Sequence, residues 1–463
     1  MVTELRTNRT IPDLRAGIDR GDLDPVDLVR SALARISYTE DKIQAFAAVF
    51  ADEALAVAQQ QREPCTKPGP LCGIPVVVKD IYDVGGYRTG NGSLGAPEHL
   101  AAQDSEAVRR LRVAGAIIFG KTTTHEYAYG VNTPPTRNPW SLDRIPGGSS
   151  GGTGAAIAAG VTTAGLGTDT GGSIRIPAAL CGVTGHKPTF GLVSRRGVSA
   201  LSSTLDHTGP LGRTVEDAVA LLEVIAGHDP GDPYSWTDPV PDFRAEFDRG
   251  LAGLTIVVAE KYFCDRLTPD VAATFEGAVR TLESAGATIR QVEFADVELC
   301  PHVVDVVCGV EAAAWHAMQT GMNPEKFGVD VQEALRVGAA YTGVDYLAAR
   351  RARAAVIAGM EAIFSSGADL LVSPTIGMTA PPYGTAEVDL GGRTVPILAG
   401  INALTVPANV TGMPALTVPA GFGTDGLPIG LQLMGALGAD ATVLGAGRAF
   451  ERLVGWVDRT PTL

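Results

Sequence analysis

Lysine is scarce in this chain. The 37 basic residues include only seven lysines, at positions 42, 67, 79, 121, 187, 261 and 326, and arginine supplies the rest. The plain reading of this is a coding bias toward arginine. It also singles out any motif that keeps a lysine, because lysine can shed its proton when desolvated and arginine cannot. Cysteine is sparse too: the six residues, at 65, 72, 181, 264, 300 and 308, contain no CxxC pair. That argues against a disulfide framework and a structural zinc site, and fits buried thiols in a reducing compartment. Positive charge is outweighed, with a formal net charge of −14. Such a surface repels phosphate backbones and anionic lipid, so neither nucleic acid nor a membrane is expected as a partner. Long apolar runs are missing as well, since each is broken by Gly, Pro or charge before it reaches the length of a bilayer span. The opening MVTELRTNRTIPDLRAG has no apolar h-region, so no signal peptide is expected. The expectation is a cytoplasmic protein.

What is present is a core. Apolar residues make up 45% of the 463 and charged residues 19%, which excludes a disordered chain. The length allows two or three ordinary domains or one large one. Glycine (56) and proline (30) are abundant but clustered, as turns and backbone-exposing loops are.

Residues 1 to about 65 read as an N-terminal helical segment packing on the core, with 66–463 as the main domain. Asp24 is placed to cap a helix that has Pro25 first, and Val26, Val29, Leu33 and Ile36 form its apolar stripe. REPCTKPGPL (62–71) has the composition of a linker. GIPVVVKD (73–80) then reads as a strand buried on both faces. Helical and strand patterns alternate from there. SEAVRRLRVAG (105–115) precedes AIIFG (116–120), and TTAGLGTD (162–169) is another buried strand. TVEDAVALLEVIAG (214–227) has a capping-box pattern at Thr214 and Asp217. LTIVVAE (254–260), a Thr268-capped helix to Gly286 and ATIRQVEF (287–294) form a strand–helix–strand unit, with DLLVSP (369–374) and PALTVPAG (414–421) as further strands. The alternation predicts an α/β fold around one mixed sheet.

The densest unusual segment is PGGSSGGTGAAIAAGVTTAGLGTDTGGSIRIPA (146–178), which sets Ser149, Ser150 and Ser173 among glycines. Glycine beside serine permits backbone angles closed to other residues and bares N–H groups near whatever the serine attacks. The amides of Thr170, Gly171, Gly172 and Ser173 are candidates for an oxyanion hole, which stabilises charge developing on an acyl carbonyl. A single GGS is more often a tight turn or a close packing contact; two in one window favour a site. A serine nucleophile needs a base. His186 and His207 follow Ser173, though an isolated histidine is usually a packed or surface residue. Lys79 ends an apolar strand, where desolvation lowers a lysine pKa, though a lysine in that place is often just an exposed strand end. Spacing alone does not choose between them.

GIPVVVKD, PGGSSGGTGAAIAAG and LGTDTGGSIRIPAALCGVTGHKPTFGLVS, in that order, closely resemble the amidase-signature family. NVTGMPALTVPAGFGTDGLPIGLQLMG (409–435) is similar to the family too, and the likeness runs from about residue 25 to 455. The resemblance implies an amidase-signature fold, a large mixed sheet surrounded by helices. It implies a Ser–cis-Ser–Lys triad with Ser173 attacking, Ser149 shuttling the proton and Lys79 accepting it. The two serines are 24 residues apart, as the family has them. It further implies a cis peptide before Ser149, a supporting Ser150, and an Asp169–Arg175 ion pair holding the nucleophile loop. The substrate would be a small amide, with no metal or organic cofactor, and homodimers occur in the family. HEYAYGVNTPP (125–135), IGMTAPPYG (376–384) and CPHVVDVVCGVEAAAWHAM (300–318) are expected to line the acyl pocket, with Tyr127, Gly148, Ile174 and Ile376 as substrate-binding candidates.

Other patterns compete. GAIIFGKT (115–122) matches the phosphate-loop pattern GxxxxGK[ST], but its middle residues are themselves strand-like. GGSSG (147–151) matches the GxSxG elbow, yet a loop, not a strand, precedes it. SxxK, the mark of another Ser–Lys class, does not occur. An A-type glutaminase component of a tRNA-dependent amidotransferase is the main alternative. That component commonly has Gln where this chain has Ile176, which favours a free-standing amidase.

Overall fold

A computed structural model describes residues 9–62 and 69–463. The strands are β1 Phe46–Val49, β2 Pro75–Lys79, β3 Ile117–Thr122, β4 Ala164–Asp169, β5 Thr184–Lys187, β6 His207–Gly212, β7 Thr255–Val258, β8 Thr288–Gln291, β9 Leu370–Pro374, β10 Glu387–Leu390, β11 Arg393–Pro396, β12 Ala415–Phe422 and β13 Pro428–Met434. Eleven of them form one mixed sheet in the order β1-β3-β2-β4-β6-β5-β12-β13-β9-β7-β8, and β10 and β11 form a separate hairpin. β2 runs parallel to both β3 and β4, whereas β4 and β5 each pair antiparallel with β6. The α/β architecture read from the sequence is therefore the one present.

The apolar run of β2 is buried at every position, as a strand covered on both faces must be. Asp24 caps the helix Pro25–Ile43 by accepting from the Val26 N–H, and Val26 and Val29 are buried on its inner face. Thr214 and Asp217 form the expected capping box of the helix Val215–Ile225. Thr268 stands at the start of the helix Pro269–Ser284 in extended backbone, but its side chain makes no capping bond. The N-terminal segment is not wholly helical. It contributes β1, which pairs antiparallel with β3 at the sheet edge. Most of the expected linker, with the boundary at 65, lies outside the described residues.

Small residues on β4 set the spacing that the site needs. A Cβ on Gly167 would lie 2.8 Å from Ser150 Oγ and 2.7 Å from Leu211, so only glycine lets the Ser150 turn sit on the strand. The helix Gly151–Ala158 then runs away from that turn. Lys79 is the last residue of β2 and Asp169 the last of β4. The carboxyl ends of these neighbouring parallel strands define one point on the sheet, the usual place for a site in an α/β fold.

Candidate active site

Lys79 is completely buried. Its Nζ donates to Ser149 Oγ at 2.7 Å and to Thr168 Oγ1 at 2.8 Å. Among the described residues no carboxylate lies within ion-pair distance of it. Burial therefore pushes its pKa down to about 7, against the opposing pull of Asp206 and Asp169. Lys121 shows the contrast: equally inaccessible, it is paired with Asp80 at 2.7 Å. Lys187 is also held down to about 7 by burial and by Arg175, but among the described residues its Nζ donates only to the Pro188 carbonyl.

Ser149 is delivered by a cis peptide bond between Gly148 and Ser149. Thr133 Oγ1 secures this turn by donating to the Gly147 carbonyl at 2.9 Å. Gly148 lies flat on residue 132, where a Cβ would come within 2.6 Å of the Asn132 carbonyl oxygen. Ser150 ties the turn to both neighbours. Its N–H donates to the Ser173 carbonyl at 3.2 Å, its Oγ donates to the Thr168 carbonyl at 3.2 Å, and its Oγ accepts from the Thr168 N–H at 3.2 Å.

The 170–173 loop hangs on Asp169, whose carboxylate is fully buried. It accepts from Arg175 Nη2 at 2.9 Å and Nε at 3.0 Å, from Asn409 Nδ2 at 2.8 Å, and from the N–H groups of Gly172 and Ile174 at 2.8 and 3.2 Å. Burial opposes the charge, but Arg175, Lys187 and Asn409 prevail and hold the carboxyl well below the usual carboxylate range. Arg175 is equally satisfied, donating also to the Thr405 carbonyl, Gln432 Oε1 and Asn409 Oδ1. Buried charges this completely paired hold one geometry. Gly172 takes φ +127°, and a Cβ there would meet Thr405 Oγ1 at 2.3 Å. The Gly172 N–H is committed to Asp169. The amides of Thr170, Gly171 and Ser173 have no protein acceptor among the described residues.

Ser173 opens into a cavity of about 320 Å³. Thr170, Gly171 and Ser173 form its floor, and its walls come from residues 128–131, the helix Cys300–Met318, the helix Val329–Ala340 and the helix Ile397–Asn402. Two of the three expected pocket segments thus contribute. IGMTAPPYG does not, and none of the four named pocket candidates is on the wall. Ile376 packs with Ile145, Met378 and Leu390 in a separate apolar cluster. Tyr127 packs against Trp315, His316 and Phe327. Ile174 is buried in the main core and Gly148 lies beneath the Ser149 turn. A second cavity of about 230 Å³ adjoins the first across Thr170, Leu201 and Ala128, and reaches Thr168 and His207.

The competing candidates go elsewhere. His186 sits on β5 with Nε2 3.0 Å from Asp440. His207 directs Nδ1 at the Leu205 carbonyl, 2.7 Å away, and burial holds its pKa well below the usual range. Neither bonds to Ser173. GAIIFGKT is the strand β3 itself, with Ile117–Thr122 buried throughout, so it offers no phosphate loop. Four residues of the arrangement were not singled out from sequence: Thr168, Asp206, Asn409 and Gln432. Asn409 and Gln432 lie in the C-terminal segment with the family likeness, which was the available signal. Asp206 accepts from Thr170 Oγ1 at 2.6 Å and from the amides of Leu201 and Ser202, and nothing in its local sequence marks it.

The sheet and the Lys79–Ser149–Ser173 neighbourhood define an α/β protein of amidase-signature type. A family model described as Amidase matches residues 27–444. The chain is 38% identical to an amidase of Pseudomonas putida over 99% of this chain and 98% of that one. It is 37% identical to the A component of the glutamyl-tRNA(Gln) amidotransferase of Roseiflexus sp. (strain RS-1), over 98% of each. It superimposes on an amidase crystal structure with a TM-score of 0.87 and 35% identity, covering 96% of this chain and 99% of that one. The chain belongs to the amidase-signature family. Among the described residues no helix is long and apolar enough to cross a membrane.

Proposed function

We propose that the protein hydrolyses carboxylic amides through an acyl-enzyme on Ser173. The observation that carries this reading is Lys79: fully buried, touching no carboxylate, held near pKa 7 and bonded to Ser149 at 2.7 Å. Neutral Lys79 takes a proton from Ser149, which takes one from Ser173 as its Oγ attacks the amide carbon. The N–H groups of Thr170, Gly171 and Ser173 receive the oxyanion. Ser149 returns the proton to the leaving amine as the C–N bond breaks, and Lys79 reprotonates Ser149. Water, deprotonated by the same relay, then releases the carboxylate and restores Ser173. Ser173 Oγ has no side-chain partner among the described residues, so the Ser149–Ser173 link closes with substrate in place, as catalytic bonds often do. The second cavity, which Thr168 borders, lies on the relay side and suits the departing amine.

The relatives carry two names, and the second reading is the glutaminase component of a tRNA-dependent amidotransferase. Free glutamine brings an α-carboxylate that needs a cation, and among the described residues no Lys, Arg or His lines the Ser173 cavity itself, Arg195 and Arg196 bordering only the adjoining one. That favours an amidase acting on small linear amides with a largely apolar acyl part. The reading extends to a cytoplasmic enzyme that uses no cofactor. A panel of aliphatic and aryl amides with L-glutamine tests it: amide turnover lost in Ser173→Ala is expected, whereas wild-type rates in Ser173→Ala, or turnover confined to glutamine, would overturn it.

A further inference from the structure

The wall of the Ser173 cavity is apolar or neutral at every position but one. Val131, Val304, Val337 and Leu398 supply aliphatic surface, and Asp305 alone carries charge. Asp305 lies on the helix Cys300–Met318, one turn before Cys308, and is exposed along one side where the cavity meets solvent. Other carboxylates around this site are occupied: Asp169 by Arg175, and Glu311 by Ser202, Thr204 and Tyr346. Asp305 has no hydrogen bond or ion pair among the described residues. Partial burial pushes its pKa up, with His302 the opposing influence. Its neighbours on the wall cannot neutralise it. Cys308 is a buried thiol whose pKa is pushed well above its ordinary value, so it is uncharged. Tyr129 and Tyr341 contribute aromatic rings, whose π faces attract cations.

A carboxylate without a hydrogen-bond or ion-pair partner among the described residues, set in aliphatic and aromatic surface in the same cavity as Ser173, selects by charge. We propose that Asp305 is a specificity determinant, and that the preferred amides carry an apolar acyl chain tipped by an ammonium-like cation. The chain fills the aliphatic wall while the cation meets Asp305 at the mouth. An acyl chain ending in a carboxylate would face Asp305 with no basic side chain among the described residues of the cavity wall, and be rejected. This rests on the amidase reading above and narrows its substrate class.

The test uses straight-chain primary carboxamides of increasing length, each made with a methyl, an ammonium or a carboxylate terminus, at mildly alkaline pH. At the best length the wild-type enzyme should favour the ammonium-tipped amide over the methyl-tipped one by about tenfold in kcat/KM, chiefly through KM, as a partly exposed charge-assisted bond does. Asp305→Asn should abolish that preference, bringing kcat/KM for the ammonium- and methyl-tipped amides to the same value, and Asp305→Lys should turn it toward the carboxylate. Equal kcat/KM for ammonium and methyl tips in the wild type, or a preference that survives Asp305→Asn, would overturn the proposal while leaving the amidase reading intact. Protection of Ser173 against fluorophosphonate labelling by the same amides reads binding independently of turnover. If none of them is hydrolysed and Ser173 is not labelled, both readings fall.

Discussion

Replacing Asp206 with asparagine changes the charge around Lys79 without removing either of its hydrogen-bond partners, Ser149 and Thr168. Lys79 is shifted from 10.5 to about 7, mainly by burial, which is on the order of 5 kcal/mol of differential desolvation. Asp206 is the largest influence working the other way. The proposed relay needs neutral Lys79, so activity should be lost as pH falls through the Lys79 pKa. With that pKa near 7, the neutral fraction is about one tenth at about pH 6 and about nine tenths at about pH 8, so kcat/KM should rise about tenfold between them and then level off. An ordinary lysine would give a rise of about a hundredfold over the same interval, still climbing at about pH 9. In Asp206→Asn the lysine loses a stabilising anion, its pKa falls, and the limb moves to lower pH, leaving more than a tenth of plateau activity at about pH 6. The assay is kcat/KM for an amide that does not titrate in this range, checked by the rate of fluorophosphonate inactivation. A wild-type plateau reaching into acid, or a limb near 10.5, would refute the assignment of Lys79 as base. A limb that moves to higher pH in Asp206→Asn would refute the electrostatic argument.

Three further outcomes are expected. Arg175→Met leaves the Asp169 carboxylate buried without its cation, which costs about 3–5 kcal/mol; thermal denaturation should show a large drop in Tm, and an unchanged Tm would contradict the paired-charge account. Gly172→Ala forces a Cβ to within 2.3 Å of Thr405 Oγ1 at a positive φ and disturbs the 170–173 loop proposed to hold the oxyanion; kcat should fall by about a hundredfold or more, and retention of wild-type kcat would show that the loop is not shaped for catalysis. Thr168→Val removes the second acceptor on Lys79; kcat should fall about tenfold with KM unchanged, whereas a change confined to KM would place Thr168 in binding rather than in orienting the base.

Much of the fold was legible because its elements announce themselves locally. Asp24 with Pro25, the Thr214–Asp217 capping box and the all-apolar PVVVK each carry a physical instruction in a few residues. β6 did not. HTGPLG contains two glycines and a proline, which read as a turn, yet it lies inside the sheet with Pro210 opposite Leu166. Its strand conformation is dictated by its neighbours rather than by its own propensity. The proposed catalytic positions were legible through ordered motifs, and the choice of Lys79 over His186 and His207 needed the family pattern; the structure adds the Lys79 Nζ–Ser149 Oγ bond and sends both histidines to other partners. The acyl pocket was not legible. Its wall is assembled from segments as far apart in the chain as Ala128 and Asn402, and hydrophobic pattern cannot tell a cavity wall from a core contact. Hence Ile376, Ile174 and Tyr127 proved to be core residues, while Leu398 and Asn402 line the cavity. Asp305 followed the same rule: only the fold shows that its carboxylate has no hydrogen-bond or ion-pair partner among the described residues.

The most direct measurement is the site of covalent capture. A fluorophosphonate reacted with the intact protein and mapped by peptide mass should label Ser173, with labelling lost in Ser173→Ala and strongly slowed in Lys79→Ala. Label on Ser149, dependent on a histidine, or undiminished labelling and turnover in Ser173→Ala, would contradict the account at its centre.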